Sequence, residues 1–567
     1  MGAAPAPLPV EDPLSRIMAS LSLRERAAQL VMVWLPGTYA AADDPALADP
    51  IRWIDSLGVG GLIVSVGSPL DLAAKLNRLQ ERSRLPLLVA ADLEAGTAIR
   101  LLGGTPFPTN MGVAAGGQEA DAYAMGRVTA EEGRAVGLHL AFAPVADVNN
   151  NPANPIINVR SFGEDPRAVA RFVAAEVRGL EEHGMPATAK HFPGHGDTET
   201  DSHLALPVVH ADWGRLDTLE LVPFRAAIAA GVSAVMSEHI ALPALDGGRT
   251  RPATLVPSIL TGLLRDSLGF QGLVVTDALD MGGLVSGFGG PEAAVLALLA
   301  GADLLLQPSD PRGAVDAVVR AVETGRLSEA RLNQSVRRVL ALKQRLGLFE
   351  RRAVPLDEVP RVVGSAEHLA VARAVAERSI VLLKDSGGAV DSLRARPRRV
   401  ALVVYGEEAN LTLGAALAAG LRDAGDTVTV FRLWPASGPA SHDSARAAIR
   451  AGGTAVFAVA VRPRPWFGRI GMPDALARLV DETAQARPTV LVSLGSPYLI
   501  AQAPHVGSYL IAWAGNPVSE GAAARALSGA PIGGRLPARV PPDFPVGAGL
   551  DRPASPRPGP VTLESRR

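Results

Sequence analysis

The segment AKHFPGHGDTETDSHLALP carries the densest group of ionisable side chains in the chain. Within it lie Lys190, His191, His195, Asp201 and His203, interleaved with glycine and proline. The prolines and glycines forbid a helix here, whereas metal sites usually draw on helical pairs or clustered strand positions. This favours catalysis, because histidine can exchange a proton near neutral pH. A zinc site of His and Asp ligands is the alternative, and histidines that only cap or fill a long loop are the third interpretation.

Further ionisable residues follow short apolar runs elsewhere in the chain. In a parallel β/α barrel the loops after the strands converge on the axis, so polar residues that end such runs meet at one rim. More ionisable groups end these runs than packing requires, and we interpret the rim as a functional site. They are Asp92, Glu94, Arg100, Asp147, Glu238, His239 and Asp277.

Eight apolar runs between Gln29 and Pro308 are the elements that must position these groups. Each is continuous rather than alternating, as strands covered on both faces require, and helical patterns separate them. This predicts an α/β fold with an N-terminal (β/α)8 TIM barrel over residues 1–350, closed by the helical segment SEARLNQSVRRVLALKQRLGL. The runs are QLVMVWL, VGGLIVSV, PLLVAAD, HLAFAPVADV, ATAKHF, AVMSEHI, GLVVTDAL and ADLLLQP.

A second parallel pattern follows on a smaller scale. Five runs separated by helical patterns predict a smaller doubly wound α/β sandwich domain over 396–547, after a linker over 351–395. Its strand ends lack a GxGxxG phosphate loop and clustered carboxylates or histidines, so we expect a supporting role. Residues 548–567, rich in proline and arginine, are expected to form a disordered tail. The runs are RVALVVYG, TVTVFRLW, TAVFAVAVRP, TVLVSLGSP and SYLIAWAG.

The composition excludes several classes of function. The 567 residues are 48% hydrophobic and 20% charged, which suits two globular domains. A net charge of -2 without long runs of one sign argues against nucleic acid as a partner. The absence of cysteine excludes disulfides and thiol chemistry, and no membrane span is expected. The small, proline-rich N-terminus fits either a cytoplasmic protein or an exported one whose signal peptide has been removed.

Several motifs resemble those of a known family. KHFPGHGDTETDSH looks like the signature of the β-N-acetylglucosaminidase branch of glycoside hydrolase family 3, VVTDALDM resembles its nucleophile strand, and NPANPIINVRSFGEDP resembles its substrate-binding segment. The similarity covers the predicted barrel and, more loosely, SIVLLKD and GAPIGGRLPARVP in the second half. The resemblance implies a retaining, exo-acting β-N-acetylglucosaminidase that acts on peptidoglycan fragments or chitooligosaccharides. No cofactor and no metal are expected, because no step of such a reaction uses one, and we expect a monomer or weak homo-oligomer. A composition rich in Ala, Arg and Pro indicates a bacterial source, for which peptidoglycan recycling is the expected role.

The resemblance also implies roles for individual residues. Asp277 would be the nucleophile, and His203, held by Asp201, the general acid/base. A retaining hydrolase needs one ionised carboxylate and one group that gives and then takes a proton. Asp201 precedes His203 by two residues in an extended loop, where it could orient the imidazole. The sugar-binding positions would be Asp92, Arg100, Arg160, Lys190 and His191.

Some neighbouring residues have two interpretations. Arg160 binds substrate or pairs with Glu164 or Asp165. Glu94 is expected to brace the site from behind. For His239 and Asp147 a site role and a hydrogen-bonded structural role are both open.

The family pattern Glu-Gly-Gly-Arg is replaced after the third strand by Glu94, Ala95, Gly96 and Thr97. We expect a remodelled turn if Ala95 replaces a glycine with positive φ, and an altered cavity wall at Thr97.

Three rival functions are considered. They are a phosphorylase that uses Asp277 with phosphate as acceptor, another exo-β-glycosidase such as a β-glucosidase or β-xylosidase, and a non-catalytic carbohydrate-binding protein.

Overall fold

A computed structural model describes residues 12–41, 43–202, 204–285, 287–463 and 470–555. Each of the eight apolar runs in the first part contains a strand. The strands are β1 Val31–Leu35, β2 Gly61–Val64, β3 Leu88–Ala91, β4 Leu140–Ala141, β5 Thr188–Phe192, β6 Ala234–Ser237, β7 Leu273–Thr276 and β8 Leu305–Leu306.

Helices separate and follow these strands. They are α1 Pro13–Ala19, α2 Leu23–Ala28, α3 Pro45–Arg52, α4 Pro69–Arg82, α5 Asn110–Ala115, α6 Glu119–Ala135, α7 Pro166–Glu182, α8 Trp213–Thr218, α9 Leu221–Ala229, α10 Gly282–Val285, α11 Gly290–Ala300, α12 Pro311–Glu323 and α13 Glu329–Arg345. Two π-helices occupy Trp53–Leu57 and Ser258–Ser267. Short 3-10 helices include Thr97–Ile99 and Asn158–Arg160.

The eight strands are parallel and follow one another in space as they do in the chain. One sheet has the order β4-β3-β2-β1-β8, and a second has the order β5-β6-β7. Single parallel bridges link the two sheets, Ala141 to Ala187 on one side and Val275 to Leu304 on the other. The strands are buried along almost their whole length, which explains why their sequences are continuous apolar runs.

Sequence signals at the helix ends agree with the observed boundaries. Asp165 is the N-cap of α7 and accepts a hydrogen bond from the Ala168 N–H at 2.7 Å, and Pro166 occupies the first turn. Ser22 and Glu25 form a reciprocal capping box at α2. These local interactions fix the residue at which each of the two helices begins, and therefore the length of the loop before it.

The second part of the chain forms one six-stranded sheet of order β11-β10-β12-β13-β14-β9, parallel except for β9. Its strands are β9 Val381–Asp385, β10 Arg399–Tyr405, β11 Thr427–Leu433, β12 Thr454–Val459, β13 Thr489–Ser493 and β14 Ser508–Ile511. Its helices are α14 Val359–Val362, α15 Ala366–Ser379, α16 Ala389–Ala395, α17 Ala415–Asp423, α18 Pro439–Ala451, α19 Asp474–Ala486 and α20 Pro517–Leu527.

Two predicted segments differ from the structure. The predicted linker over 351–395 contains α15, the antiparallel strand β9 and α16. The predicted disordered tail is ordered up to residue 555, because Leu550 donates its N–H to Leu382 O and Arg552 bridges to Ile532. Both segments complete the second sheet by pairing with residues that are distant in sequence. Residues 556–567 lie outside the described part of the chain.

A hydrophobic core runs through both parts of the chain and includes buried residues from Leu14 to Ile532. A second cluster packs Met111 and Ala115 of α5 against the second sheet. The two parts therefore share buried surface. Over the residues that the structure describes, no helix combines the length and apolar character needed to cross a membrane.

Candidate active site

A cavity of about 840 Å³ lies at the carboxyl ends of the strands in the first part. All five predicted sugar-binding residues and Asp277 line it, so the structure brings together residues that are up to 185 positions apart, from Asp92 to Asp277. The ionisable residues of its wall are Asp92, Glu94, Arg100, Arg160, Lys190, His191, His195, Glu238, Asp277, Asp280, Glu407 and Arg462.

Lys190 stands at the centre of the polar wall. Its side chain is 2% exposed, and its Nζ lies 2.8 Å from Asp92 Oδ1 and 2.7 Å from Glu94 Oε1. Arg100 donates to the other oxygen of Asp92 at 2.8 Å. Burial raises the pKa of Asp92, but Lys190 and Arg100 outweigh it and hold this pKa below its ordinary value. Asp92 is thus an ionised carboxylate whose remaining lone pairs can accept from sugar hydroxyls.

Arg160 pairs with Glu94 through two hydrogen bonds. Its Nε lies 2.9 Å from Glu94 Oε2, and its second terminal nitrogen lies 2.7 Å from Glu94 Oε1. Burial raises the pKa of Glu94, but Arg160 and Lys190 lower it well below its usual value. Glu94 therefore braces both cations, as predicted, although it also lines the cavity. Pairing of Arg160 with Glu164 or Asp165 is not observed, since Glu164 accepts from the Arg539 N–H and Asp165 caps α7.

Asp147, which follows β4, orients two histidines of the cavity wall, His191 within β5 and His195 just after it. His191 Nδ1 lies 2.6 Å from Asp147 Oδ2, and the His195 N–H donates to Asp147 Oδ1 at 2.7 Å. A terminal nitrogen of Arg160 lies 3.2 Å from His191 Nε2. Burial lowers the pKa of His195 to about 3, so this ring is neutral at physiological pH.

Asp277 and Glu238 leave neighbouring strands side by side. Ser237 of β6 pairs with Thr276 of β7, and the Asp277 N–H donates to Ser237 O at 2.9 Å. Glu238 is one of the ionisable residues that end the apolar runs, and the sequence predicts no individual role for it. It is 1% exposed and lines the cavity beside Asp277.

These two carboxyl groups differ in charge. Burial raises the pKa of Glu238 well above its ordinary value, and the negative charge of the neighbouring Asp277 carboxylate raises it further. Burial also raises the pKa of Asp277, but His191 and His239 outweigh it and hold this pKa below its ordinary value. Asp277 is thus an ionised carboxylate available for attack, and Glu238 is a neutral acid.

His239 makes the hydrogen bonds expected of a structural residue, and it also lowers the pKa of Asp277, so both of its alternatives have support. Its Nδ1 lies 3.0 Å from Thr254 Oγ1, and its Nε2 lies 3.0 Å from Ala278 O. It therefore ties β6 to the residue that follows Asp277.

His203 lies outside the described residues, so its predicted role as acid/base is not tested. Its predicted partner Asp201 is 3% exposed, and its carbonyl accepts from the Leu204 N–H at 2.9 Å. Ser202, between the two, lines the cavity. Of the described neighbours of His203, Ser202 is thus the one that lines the cavity.

Thr97 is not among the residues that line the cavity. Thr97 is 1% exposed, and its hydroxyl donates to Glu132, which also accepts from the Thr105 N–H at 2.9 Å. Thr97 therefore points into a buried network rather than into the cavity. Positive φ in this turn occurs at Gly96 (85°) and not at Ala95, which explains why alanine fits there.

The second part of the chain contributes Glu407, Arg462 and Pro463 to the cavity. Arg462 lies 3.9 Å from Glu407 Oε1. The expected supporting role was therefore incomplete. Glu407 follows β10 and Arg462 follows β12, so the rule applied to the first eight strands would have found both residues had it been extended to these strand ends.

The segment first considered for zinc does not form a metal cluster among its described residues. Thr198 Oγ1 lies 2.9 Å from His195 Nδ1, and Asp197 pairs with Arg215 at 2.6 Å. His195 thus binds Thr198, and Asp197 binds Arg215, so these two possible ligands do not converge on one point. This argues against the zinc interpretation for this part of the segment.

His191 of the same segment forms a group with Glu238 and Asp277, and in the described chain the ligand-type atoms of these three side chains lie within 4.8 Å of one another. Both nitrogens of His191 already have partners in the protein, and one oxygen of Glu238 accepts from the His239 N–H. The group is therefore better described as a hydrogen-bonded set than as an ion site. That no metal or cofactor is required stays a prediction.

Comparisons with known proteins agree on one family. The family described as "Glycosyl hydrolase family 3 N terminal domain" matches residues 22–342. A β-N-acetylglucosaminidase/β-glucosidase from Cellulomonas fimi is 33% identical over 85% of this chain and 88% of its own. A solved β-N-acetylglucosaminidase from Paenibacillus sp. str. FPU-7 is 34% identical with a TM-score of 0.82, over 92% of this chain and 99% of its own. A solved β-glucoside phosphorylase is 27% identical with a TM-score of 0.83, over 93% and 95%.

Proposed function

The chain belongs to glycosyl hydrolase family 3, as its motifs indicated, and we propose that it is an exo-acting β-N-acetylglucosaminidase. The observation that carries this proposal is the pairing, in one cavity, of an ionised Asp277 with the polar wall of Asp92, Arg100, Arg160, Lys190 and His191. The substrate is terminal β-linked N-acetylglucosamine, from peptidoglycan fragments or chitooligosaccharides. The names of the relatives support this choice of sugar.

The proposal includes the architecture around the cavity. The eight parallel strands form a (β/α)8 barrel over 1–350, and a second domain over 396–547 contains five strands of the six-stranded sheet, β10 to β14. The single bridges that join β4 to β5 and β7 to β8 support closure of the barrel. The ordered elements over 351–395 belong with the second domain, since β9 pairs with β14.

The reaction proceeds in two steps with retention of configuration. Asp277 attacks the anomeric carbon as the bond to the leaving oxygen breaks, and a proton donor neutralises that oxygen. Water then attacks the same carbon, the bond to Asp277 breaks, and the donor group takes the proton from water. The polar wall holds the sugar hydroxyls, because its carboxylates accept and its cations donate.

We assign the proton transfers to His203, oriented by Asp201. Ser202 at the cavity edge and the buried position of Asp201 support this assignment. Glu407 is a second candidate, because it is a carboxyl group of the other part of the chain that lines the same cavity. A leaving-group comparison separates the two: substitution of the true acid slows poor leaving groups far more than activated aryl ones.

The variants for that comparison are His203→Ala and Glu407→Gln, with nitrophenyl N-acetylglucosaminide and a chitooligosaccharide as substrates. We expect the selective loss on the oligosaccharide in His203→Ala. The same selective loss in Glu407→Gln, with equal losses on both substrates in His203→Ala, would transfer the role to Glu407.

A phosphorylase is the rival that a comparison favours, since a β-glucoside phosphorylase shares the fold over 93% of this chain. The deciding experiment measures kcat/KM for nitrophenyl β-N-acetylglucosaminide and β-glucoside, with and without phosphate. We expect a large preference for the acetamido sugar, no response to phosphate and no sugar 1-phosphate. A ratio near unity would overturn the substrate, and sugar 1-phosphate would overturn hydrolysis. Asp277→Ala should abolish the turnover that wild type shows. A non-catalytic binding protein would show no turnover even as wild type.

A further inference from the structure

Glu238 occupies a position next to the proposed nucleophile that the mechanism above does not use. It follows β6 directly, and its N–H donates to Phe192 O of β5 at 2.9 Å. Its Oε1 accepts from the His239 N–H at 2.9 Å. One oxygen is thus fixed by the backbone, and a carboxyl oxygen of Glu238 lies within 4.8 Å of a carboxyl oxygen of Asp277.

The surroundings decide which of the two carries a proton. Asp277 from β7 and Asp147 from the β4 side both face Glu238 with negative charge and raise its pKa, in addition to burial. The cationic and imidazole groups of the site, His191, His239 and Lys190, instead lower the pKa of Asp277. Two carboxyl groups this close together in a buried site cannot both ionise at low cost. Glu238 therefore keeps its proton while Asp277 is ionised.

We propose that Glu238 is a positioning residue whose protonated carboxyl donates a hydrogen bond to Asp277. This inference rests on the proposed function, in which Asp277 is the nucleophile. The hydrogen bond fixes the orientation of Asp277 towards the anomeric carbon. When the bond between that carbon and Asp277 breaks in the second step, the electron pair returns to a carboxylate that already has a donor. The proton stays on Glu238 throughout, so no atom is gained or lost.

The predicted pH dependence has a definite sign. As pH rises through the pKa of Glu238, its proton is lost, and a second negative charge faces Asp277 in place of a donor. Activity should therefore fall on the alkaline side. With an activated aryl leaving group, kcat/KM reports the first step, in which proton donation to the leaving oxygen matters little. The alkaline fall on that substrate is then assigned to Glu238 rather than to the acid/base.

The test compares wild type with Glu238→Gln and Glu238→Ala, using dinitrophenyl β-N-acetylglucosaminide from pH 5 to pH 10. Glutamine keeps a donor and cannot titrate, so its kcat/KM should stay within about threefold of wild type at neutral pH and lose the alkaline fall. Alanine removes the donor and should lower kcat/KM about tenfold or more at all pH values. An alkaline fall unchanged in Glu238→Gln would overturn the proposal.

Infrared difference spectra give a readout that does not depend on turnover. At pH 7 the difference spectrum between wild type and Glu238→Gln should show the carbonyl stretch of one protonated carboxyl group, and the absence of this stretch from the difference spectrum would overturn the proposal. Glu176 on α7 is the matched control, because it is another buried carboxyl with a pKa raised by burial but does not line the cavity. Glu176→Gln should lose its own band and keep the wild-type pH profile.

The remaining outcomes separate this inference from the proposed function. If Asp277→Ala retains full turnover, the proposed function fails while the infrared band still reports on Glu238. If a chelator abolishes the activity of wild type and a divalent cation restores it, the pair holds a cation instead of a proton, and the inference is overturned. Melting temperatures of each variant exclude loss of folding as the cause.

Discussion

Lys190 shows how single residues define the cavity. It is a buried ammonium group whose two partners, Asp92 and Glu94, each have an arginine as a second partner. A compact point charge on a flexible stem can serve both carboxylates at once, whereas a planar guanidinium would need more space. Catalytic geometry at this wall therefore depends on one side chain that no neighbouring residue replaces.

The first prediction concerns this lysine. In Lys190→Met, kcat/KM should fall by on the order of 10² or more, because the sugar-binding carboxylates lose their common partner. The pKa of Asp92, now held low by Lys190, should rise, so the acid limb of kcat/KM should move to higher pH. A pH–rate profile measures both effects. Lys384→Met, a partly buried lysine of β9 outside the cavity, should change neither; an unchanged acid limb in Lys190→Met would contradict the assigned role.

The second prediction concerns His139, whose Nδ1 accepts from the Val89 N–H at 3.1 Å. Burial, with smaller effects of Arg134 and Lys343, lowers its pKa to about 3. In the unfolded chain this histidine is protonated below about pH 6.5, whereas in the folded chain it stays neutral down to about pH 3. The folded state therefore loses stability as pH falls from 6.5 to 3. His139→Gln should reduce the slope of unfolding free energy against pH by about 1.4 kcal/mol per unit. Urea unfolding at pH 6.5 and 4.5 measures it, and an equal slope in both proteins would contradict the argument.

At the scale of elements, the strand ends opposite the cavity are held by a buried charge network. Asp303, just before β8, is fully buried and lies 2.6 Å from Arg265 and 3.0 Å from Arg338 of α13. It also accepts from the Val274 N–H of β7 at 3.0 Å. One carboxylate thereby fixes two strands, a π-helix and α13 relative to one another. Chemistry lies at one end of the strands and this stabilising contact at the other, as expected for parallel β/α units.

The third prediction follows from this network. Asp303→Ala leaves buried arginines without their partner and should lower the unfolding free energy by about 3–5 kcal/mol. Because the network is remote from the cavity, kcat/KM of the folded protein should change little. Denaturant unfolding and kinetics at a permissive temperature measure the two. Asp316→Ala, which breaks a half-exposed pair with Arg24, should cost less than about 1 kcal/mol. A similar loss in both variants would contradict the argument.

At the scale of the whole molecule, a buried contact connects the second sheet to the cavity. Trp513, after β14, is fully buried and packs against Gly112 of α5, and its Nε1 donates to Ser379 O at 2.7 Å. Asn110, at the start of the same helix, lines the cavity and donates to Arg160 O at 2.8 Å. The second part of the chain thus supports the cavity through α5 as well as lining it.

The fourth prediction tests this contact. A Cβ at position 112 would lie 2.6 Å from Trp513 Cβ, so Gly112→Ala requires a shift of α5 or β14. We expect a loss of about 1–3 kcal/mol in stability and a higher KM, because Asn110 moves with the helix. Gly521→Ala in α20 is the control, since its Cβ meets only the end of the flexible Arg525 side chain. That variant should be neutral or slightly stabilising. A KM unchanged in Gly112→Ala would mean that α5 does not transmit the contact.

The sequence alone determined the features that depend on local patterns. Continuous apolar runs specified the eight strands of the first part, because strands buried on both faces need apolar residues at every position. The polar residues after those runs specified the composition of the cavity wall, because parallel strands end at one edge. Motifs specified the family. These inferences needed no knowledge of which distant residues meet.

The tertiary structure decided everything that depends on non-local pairing. Whether Thr97 faces the cavity or Glu132, whether β9 joins a sheet or a linker, and whether Glu407 reaches the cavity are set by the packing of segments far apart in sequence. The same holds for Glu238 and Asp277, whose contact follows from the register of β6 against β7. Their different charge states follow in turn from burial and from histidines on other strands, which is an effect of distance in space and not of position in the chain.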